Sequence, residues 1–291
     1  MTKTNETNSP SMRQYQGKLS WGQRPKVLIK TPVSYYWGKQ MMLNNILPLI
    51  PDHKIYVEPF FWGGSVYRAK EPAPCEVIND VNMNVVNFYQ VLKSRSKKLE
   101  TKIKETLLSR ETYKKAMLIY DCPRLFADDK VTRAWAFRVS VSQGYLNKIW
   151  SRWYDKEKRS ALNFQNKVDA FGINLAQRIR YTQIEQNDAC KVIKSRDTEN
   201  SFFYCDPPYI NTNMGFYKWY SEEDFITLLE TLTHVKGKFL LSNYPWEILD
   251  SYIKKHNRYI KTFDKPLSAS HNRKTWKVRR KTEVLVANYP I

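Results

Sequence analysis

Short apolar runs that end on polar residues recur along the chain and predict the strands of a buried sheet. They are KIYVE (54–58), CEVIND (75–80), YTQIEQND (181–188), SFFYCD (201–206), KFLLSN (238–243) and TEVLVAN (282–288). Between them, apolar residues recur at helical spacing in MMLNNILPLI (41–50), VNMNVVNFYQVL (81–92) and SEEDFITLLETL (221–232). Ser221 and Asp224 give the last helix a start that resembles a capping box. This alternation predicts an α/β fold, with a parallel-rich sheet between helices and ligands at the carboxyl ends of the strands.

The stretch 93–180 interrupts this alternation of strands and helices, because it is polar, favours helices and holds few strand signals. It contains 21 lysines and arginines against 9 aspartates and glutamates. We therefore predict a disordered polar tail at 1–20, a first part of the sheet domain at 21–92, a helical insertion at 93–180 and a second part at 181–291. A further basic stretch at 254–281 holds 11 lysines and arginines and one acid.

Charge and aromatic content favour a nucleic-acid partner. The 291 residues carry 48 lysines and arginines against 28 acids, a net charge of +20, and 14% of them are aromatic. A basic balance favours polyanions, and aromatic rings among basic residues favour stacked bases over a membrane surface. The alternative is a basic soluble protein without such a partner.

Membrane and metal signals are weak throughout the sequence. No apolar run approaches the roughly 20 residues of a membrane span, and residues 1–20 lack the apolar core of a targeting peptide. The four cysteines and four histidines show no metal-ligand spacing. We expect a cytoplasmic protein that binds neither a membrane nor a metal.

The run SFFYCDPPYIN (201–211) places an unusual group of acceptors after a strand. Pro207 and Pro208 fix the backbone and have no N–H to donate, so the carbonyls of Asp206 and Pro207 point in fixed directions. Tyr209 adds a flat ring beside the Asp206 carboxylate. These groups suit a planar ligand that carries an NH2 group. An ordinary rigid loop after a strand is the alternative.

A glycine turn and an acidic strand end suggest a nucleoside site. Gly63 and Gly64 follow the first strand, and Asp80 ends the second, where a carboxylate holds a ribose diol in nucleoside-cofactor folds. Alone this layout is weak, because the glycines also suit a tight turn and Asp80 also suits a helix cap.

Taken together, ordered blocks resemble the Dam-like DNA adenine-N6 methyltransferases of the alpha group. The blocks are PVSYYWGKQ (32–40), YVEPFFWGGSVY (56–67), INDVNMNVVNFY (78–89), YCDPPY (204–209) and LLSNY (240–244). The resemblance covers residues 31–290 and implies a Rossmann-like sheet, an inserted helical target-recognition region and S-adenosylmethionine as methyl donor. It also implies double-stranded DNA as substrate and a monomer that acts alone or beside a cognate restriction endonuclease.

The resemblance assigns roles residue by residue. Asp206, Pro207, Pro208 and Tyr209 match the catalytic motif, whose acceptors hold the amine of an adenine flipped out of the duplex. The cofactor-binding positions are Tyr35, Lys39, Glu58, Phe60, Gly63, Gly64, Asp80 and Asp188.

DNA contacts are expected from the two basic stretches. The candidates are Arg133, Arg138, Gln143, Asn147, Lys148 and Arg152 in the insertion, and Arg273 and Lys274 near the end of the chain. Arginine and lysine would hold phosphates, and glutamine and asparagine would read base edges. A solvated helical face is the alternative for each.

Three tryptophans depart from the family pattern. Trp37, Trp62 and Trp219 stand where the family has glycine, and the chain holds nine tryptophans and only nine glycines. A tryptophan in a turn built for close approach would block the cofactor site. Alternatively, these codons are UGA and belong to a genetic code that reads UGA as glycine. We expect Trp135, Trp150 and Trp153 to pack in a core, with contact to DNA as the alternative.

Two rival functions therefore stay open. One is a catalytically impaired DNA-binding protein, which Trp37 and Trp62 favour. The other is an amino-group methyltransferase that acts on RNA or protein. The order of the blocks and the basic insertion favour DNA.

Overall fold

The computed structural model describes residues 31–33, 38–151, 158–172, 174–210, 220–271 and 278–291. Seven strands form one sheet: β1 (Ile55–Glu58), β2 (Cys75–Asn79), β3 (Gln183–Glu185), β4 (Ser201–Cys205), β5 (Lys238–Asn243), β6 (Tyr259–His271) and β7 (Val278–Ala287). Their order across the sheet is β3-β2-β1-β4-β5-β7-β6.

Eleven α-helices accompany these strands within the described residues. They are α1 (Leu43–Ile46), α2 (Ser65–Ala69), α3 (Met83–Ser94), α4 (Ser96–Lys104), α5 (Arg110–Asp121), α6 (Lys130–Ser142), α7 (Lys158–Asp169), α8 (Asn174–Ile179), α9 (Ala189–Arg196), α10 (Glu222–Thr233) and α11 (Glu247–Lys255). Over the same ranges, no helix combines the length and the apolar character that a membrane crossing requires.

The direction and order of the strands predict where a ligand site would lie in this sheet. Strands β3, β2, β1, β4 and β5 run parallel, whereas β7 is antiparallel to both of its neighbours. The chain builds the sheet outward from β1 to β3 and then returns to the other side of β1 for β4. Open α/β sheets bind ligands outside the carboxyl ends of the strands at such a reversal.

Two apolar layers cover the two faces of the sheet. Successive residues of a strand point to opposite faces, so Phe202 and Tyr204 of β4 pack in one layer, and Phe203 and Cys205 pack in the other. Helices α3, α5 and α6 contribute to the first layer, and α9, α10 and α11 to the second. The predicted α/β class with helices on both faces is therefore confirmed.

The region predicted as an insertion continues the first layer. Its described residues form α4 to α8 and no strand. Leu99, Phe137 and Phe164 belong to the same core as Phe202 of the sheet. The helical region therefore rests on the sheet through a shared apolar core, and its role in target recognition stays a prediction.

The structure confirms the predicted start of α10 but differs from the helix predicted around residue 48. The Ser221 side chain accepts from the Asp224 N–H, and the Asp224 carboxylate accepts from the Ser221 N–H, so the predicted capping box is confirmed. The single helix predicted over 41–50 is instead α1 between two 3-10 turns. Pro48 explains the interruption, since it has no N–H to continue an α-helical ladder.

Candidate active site

A cavity of about 180 Å3 lies at the carboxyl ends of β1, β2 and β3. Its floor and walls come from the segments that follow these strands and from α10. It is lined by Pro59, Phe60, Trp62, Asn79, Asp80, Val81, Asn187, Asp188, Ala189, Cys190, Tyr220, Asp224, Thr227 and Leu228. Phe60, Asp80 and Asp188, three of the predicted cofactor-binding residues, thus share one cavity.

The turn after β1 is held against the end of β2. The Phe61 N–H donates to the Asn79 carbonyl at 2.9 Å, and the Trp62 N–H donates to an Asp80 carboxylate oxygen at 3.0 Å. Gly64 has φ of +60°, and a Cβ there would lie 2.3 Å from the Phe61 ring. Glycine is therefore required at position 64 by both backbone conformation and space.

Asp80 presents a buried carboxylate to the cavity. It is 6% exposed and accepts backbone N–H bonds from Trp62 and from Asn82. Burial raises the pKa of Asp80 to about 6, although these two hydrogen bonds favour the charged form. A diol that donates to this carboxylate would stabilise its charge. Asp188 is exposed, and its carboxylate caps α9 by accepting from the Lys191 N–H at 2.9 Å.

Glu58 lies behind the cavity, and the cavity lining does not include it. One of its carboxyl oxygens accepts from the Tyr56 hydroxyl at 2.8 Å and from the Tyr67 N–H at 3.2 Å. Burial raises the pKa of Glu58 to about 8, so the side chain is protonated at neutral pH. Its predicted contact with a cofactor stays a prediction; its observed contacts fix α2 to β1.

Trp62 connects the cavity with the loop that follows β4. Trp62 is one of the lining residues, and its indole N–H donates to the Asp206 carbonyl at 2.9 Å. Its φ of +50° lies in the left-handed region, which bulky residues rarely adopt. The cavity that holds the predicted cofactor-binding residues and the candidate catalytic loop are thus adjacent, and Trp62 contacts both.

The Asp206 carboxylate is paired with Lys39. The Lys39 ammonium lies 2.7 Å from Asp206 Oδ1 and 3.3 Å from Glu283 Oε1, and both partners of the first pair are largely buried. Burial raises the pKa of Asp206, and the attraction of Lys39 offsets part of this shift. Burial alone would lower the pKa of Lys39, but the two carboxylates raise it above its ordinary value. Lys39 therefore pairs with the candidate catalytic loop, and its predicted contact with a cofactor stays a prediction.

Tyr209 is held at its hydroxyl and at its ring. The hydroxyl donates to Glu283 at 3.1 Å, and the Tyr244 ring meets the Tyr209 ring edge-on at 4.5 Å between centroids. The Lys39 ammonium lies 4.6 Å from the Tyr209 centroid. A ring restrained in this way can act as a stacking surface for a planar base.

Glu283 is a residue of this site that the sequence analysis did not predict. Glu283 on β7 accepts from Tyr209, from Lys265 and from the Ser242 hydroxyl. The only hint in the sequence is an acid at the start of the apolar run TEVLVAN, since a charged residue in a buried strand needs partners.

The predicted DNA contacts divide into buried and accessible side chains. Arg133 and Arg138 are each 8% exposed and Gln143 is 3% exposed. The Gln143 amide donates to the Leu107 carbonyl, and Arg138 donates to the Lys167 carbonyl. All three side chains are therefore buried in this conformation, and Arg138 and Gln143 donate to backbone carbonyls within the helical region.

Asn147 and Lys148 are partly exposed. The Asn147 amide oxygen accepts from Lys167 at 2.7 Å. All DNA-contact assignments stay predictions. Several predicted positions lie outside the described residues: Tyr35, Trp37, Arg152, Trp153, Trp219, Arg273 and Lys274.

Trp135 and Trp150 differ in their surroundings. Trp135 is 7% exposed and packs in the core as expected. For Trp150 the prediction is wrong: it is 51% exposed, and its indole donates to Asp121. Its φ is +55°, again in the left-handed region.

Comparison with known proteins identifies relatives along almost the whole chain. The type II methyltransferase M.FokI of Planomicrobium okeanokoites is 27% identical, over 90% of this chain and 43% of its own length. Modification methylase StsI of Streptococcus sanguinis is 24% identical, over 91% of this chain and 43% of its own length. The type II methyltransferase M1.LlaDCHI of Lactococcus lactis subsp. cremoris is 24% identical, over 92% of this chain and 98% of its own length. The chain therefore spans less than half of the first two relatives.

A family model agrees with these relatives. The model described as D12 class N6 adenine-specific DNA methyltransferase matches residues 35–281. This range includes both candidate cofactor blocks and the Asp206–Tyr209 motif, and it confirms the resemblance stated from the sequence. Because the match covers most of its length, the chain belongs to the D12 class N6 adenine-specific DNA methyltransferase family.

Proposed function

We propose that this chain transfers a methyl group from S-adenosylmethionine to the N6 amine of an adenine flipped out of double-stranded DNA, at a short specific site. One observation carries the proposal. Trp62 lines the cavity that holds Asp80 and Asp188, and its indole N–H donates to the carbonyl of Asp206 in the DPPY motif. A cofactor site and an amine-binding loop are therefore neighbours at the reversal of strand order.

The polar groups of the cavity fit a nucleoside. Asp80 is a buried acceptor for a ribose diol, Asp188 is an exposed acceptor for an exocyclic amine, and Phe60 supplies an apolar wall. The volume of about 180 Å3 is small, because ligand sites usually reach about 300 Å3 or more. Trp62 stands in the wall that limits this volume.

The catalytic loop would supply acceptors rather than a nucleophile. S-adenosylmethionine, when bound, supplies an electrophilic methyl group from its sulfonium sulfur, and S-adenosylhomocysteine, which keeps the electron pair of the broken C–S bond, is the leaving group. The Asp206 carboxylate and the Pro207 carbonyl would hold the N–H bonds of the adenine amine, so that the nitrogen lone pair points at the methyl carbon. Positive charge develops on the nitrogen as the bond forms, so these acceptors bind the transition state more tightly than the ground state. Asp206 would then accept the proton that the nitrogen loses.

Tyr209 would stabilise the flipped base. An adenine inside a duplex cannot reach the cavity, and flipping costs a few kcal/mol. Stacking on an aromatic ring contributes about 1–3 kcal/mol per base and offsets part of this cost.

The proposal is tested by tritium transfer from labelled S-adenosylmethionine to unmethylated duplex DNA, followed by nucleoside analysis. We expect N6-methyladenine in the DNA. Asp206→Asn, which keeps the shape but removes the charge, should lower kcat by about 100-fold or more while DNA affinity is kept. Full activity of this variant, or methyl groups found only in RNA or protein, would overturn the proposal.

A second candidate function is a DNA-binding protein with an impaired cofactor site. The left-handed conformation of Trp62 and the small cavity favour it. It predicts salt-sensitive DNA binding without S-adenosylmethionine binding. Methyl transfer that appears only after Trp62→Gly would support this second function for the chain that carries Trp62. The endonuclease partner and the monomeric state stay predictions from the resemblance.

A further inference from the structure

We infer that Glu283 is a positioning residue of the active site, which holds the Tyr209 ring and the Lys39 ammonium where methyl transfer requires them. The inference rests on the proposed function, because its main readout is methyl transfer. Glu283 lies beyond residues 35–281, the range that the family model matches.

The Glu283 carboxylate joins four donors in a buried position. It is 4% exposed. Its Oε1 lies 3.1 Å from the Tyr209 hydroxyl, 3.1 Å from the Ser242 hydroxyl and 3.3 Å from the Lys39 ammonium. Lys265 donates to its Oε2. A buried carboxylate persists only where its charge and lone pairs are matched, and these partners provide that match.

Strand order brings this carboxylate to the catalytic loop. β7 lies between β5 and β6, and its register pairs Val284 with Asn243 and Leu285 with Ser242. Glu283 therefore reaches the site from the strand next to β5, whereas Asp206 reaches it from the end of β4. The hydrogen bond from Tyr209 to Glu283 links the two segments.

Glu283 shares the Lys39 ammonium with Asp206, and this sharing matters for the chemistry. Lys39 and the adenine amine would both donate to the Asp206 carboxylate. With Glu283 on its other side, Lys39 divides its attraction between two carboxylates. Without the charge of Glu283, Lys39 would pair with Asp206 alone and compete more strongly with the amine.

The charge of Glu283 also acts on the protonation of its neighbours. The titratable groups that face it are Lys39, Lys265, Lys281, Asp206, Tyr204 and Tyr209. Burial raises the pKa of Asp206, and the negative charge of Glu283 raises it further. Burial would raise the pKa of Glu283 itself, but Lys39 and Lys265 lower it to about 2, so this charge is present throughout the neutral range.

The test compares Glu283→Gln with a matched control, Glu76→Gln. Glu76 is also a buried glutamate with two cationic partners, Lys70 and Arg178, but it lies at the start of β2, away from the strand ends that form the cavity. Methyl transfer to unmethylated genomic DNA is measured as a function of S-adenosylmethionine concentration and pH.

For Glu283→Gln we expect kcat to fall by about 10- to 100-fold, because a small displacement of Tyr209 and Lys39 misaligns the reacting groups. The KM for S-adenosylmethionine should stay within about twofold, since Glu283 is absent from the cavity lining. The acid limb of the kcat profile should move to lower pH. Glu76→Gln should keep kcat. Unchanged kcat and an unmoved acid limb in Glu283→Gln would overturn the inference.

A double-mutant cycle separates positioning from a general loss of structure. Tyr209→Phe removes the hydroxyl that Glu283 holds and keeps the ring. If Glu283 acts through that hydroxyl, the double variant loses little more kcat than the more damaging single variant. Additive losses would overturn the role of Glu283 in holding Tyr209.

A crystallographic readout keeps the two proposals distinguishable. If the unaltered chain transfers no methyl group, the proposed function fails, and crystal structures of the chain and of Glu283→Gln decide the inference. Displaced Lys39 and Tyr209 side chains in the variant would support it. Unmoved side chains would overturn it.

Discussion

Two tryptophans hold a backbone conformation that suits glycine. Among the described residues, four that are not glycine have positive φ, namely Trp62, Asn147, Trp150 and Asn257. Asparagine adopts this conformation readily, whereas a bulky residue there is a true outlier. The observation supports the interpretation that position 62 is built for glycine and extends it to position 150. The codons would decide it: UGA at both positions would support miscoding, and UGG would exclude it.

Trp62→Gly should tighten S-adenosylmethionine binding by about tenfold or more, because it relieves the backbone and enlarges the cavity. Isothermal titration calorimetry measures the change. Trp150→Gly is the matched control, since Trp150 has the same backbone conformation but is exposed and outside the cavity lining. It should leave the affinity unchanged. Equal or weaker binding by the Trp62 variant would mean that the cavity accommodates the indole.

Glu58→Gln should stabilise the fold in a way that depends on pH. The folded pKa of Glu58 is about 8, well above its ordinary value of 4.5, so folding takes up a proton between these values. The contribution of the Glu58 carboxyl to the free energy of unfolding is therefore highest below pH 4.5. It falls as the pH rises towards 8 and stays constant above that pH. Glutamine keeps the accepting oxygen and has no charge to bury.

Urea denaturation at pH 5, 7 and 9 tests this expectation. The advantage of Glu58→Gln in free energy of unfolding should grow from pH 5 towards pH 8 and then stay level. An advantage that does not change with pH would contradict a protonated Glu58 in the folded state.

At the scale of elements, α10 shows how a local signal supports the cavity. Asp224, Thr227 and Leu228 of this helix line the cavity, and the capping box at its start fixes its first turn. The start of the helix that forms one wall of the cavity could therefore be predicted from the sequence alone.

Ser221→Ala should lower the free energy of unfolding by about 1 kcal/mol, because it removes the acceptor for the Asp224 N–H. Ser94→Ala serves as control: Ser94 ends α3, is exposed, and donates only to the carbonyl one turn earlier. It should cost less than about 0.5 kcal/mol. Chemical denaturation measures both, and equal losses would refute the cap as the source of stability.

Strand ends were predictable, whereas strand neighbours were not. Asp80 and Asp206 follow apolar runs directly, so local pattern and the geometry of parallel sheets were enough to place both at one edge. The contacts of Glu283 with Lys39 and Tyr209 depend on β7 entering between β5 and β6. No local sequence pattern predicts that β7 lies between β5 and β6.

The helical region shows the same limit for side chains. Its helices follow from composition, but Arg138 and Gln143 are buried because α6 lies in the core. Polar residues on a predicted surface helix are ordinarily exposed, and only the packing of neighbouring helices reverses that expectation.

At the scale of the whole molecule, a net charge of +20 should govern DNA association. Cations that replace counterions on the duplex make affinity fall steeply with salt. For about six phosphate contacts, affinity should fall by about 1,000-fold between 50 and 200 mM salt. Fluorescence anisotropy with a labelled duplex measures the slope, with heparin as a competing polyanion. An affinity that is insensitive to salt would argue against phosphate contacts as its main source.

The position of β7 has a consequence for biosynthesis. A growing chain that has reached residue 271 has made β5 and β6, but the strand that separates them in the finished sheet has yet to leave the ribosome. Until β7 arrives, the unpaired edge of β5 is open to pairing with other chains, and Lys39 lacks its second carboxylate. Chaperone demand and aggregation during synthesis should therefore concentrate in the interval before the last strand emerges.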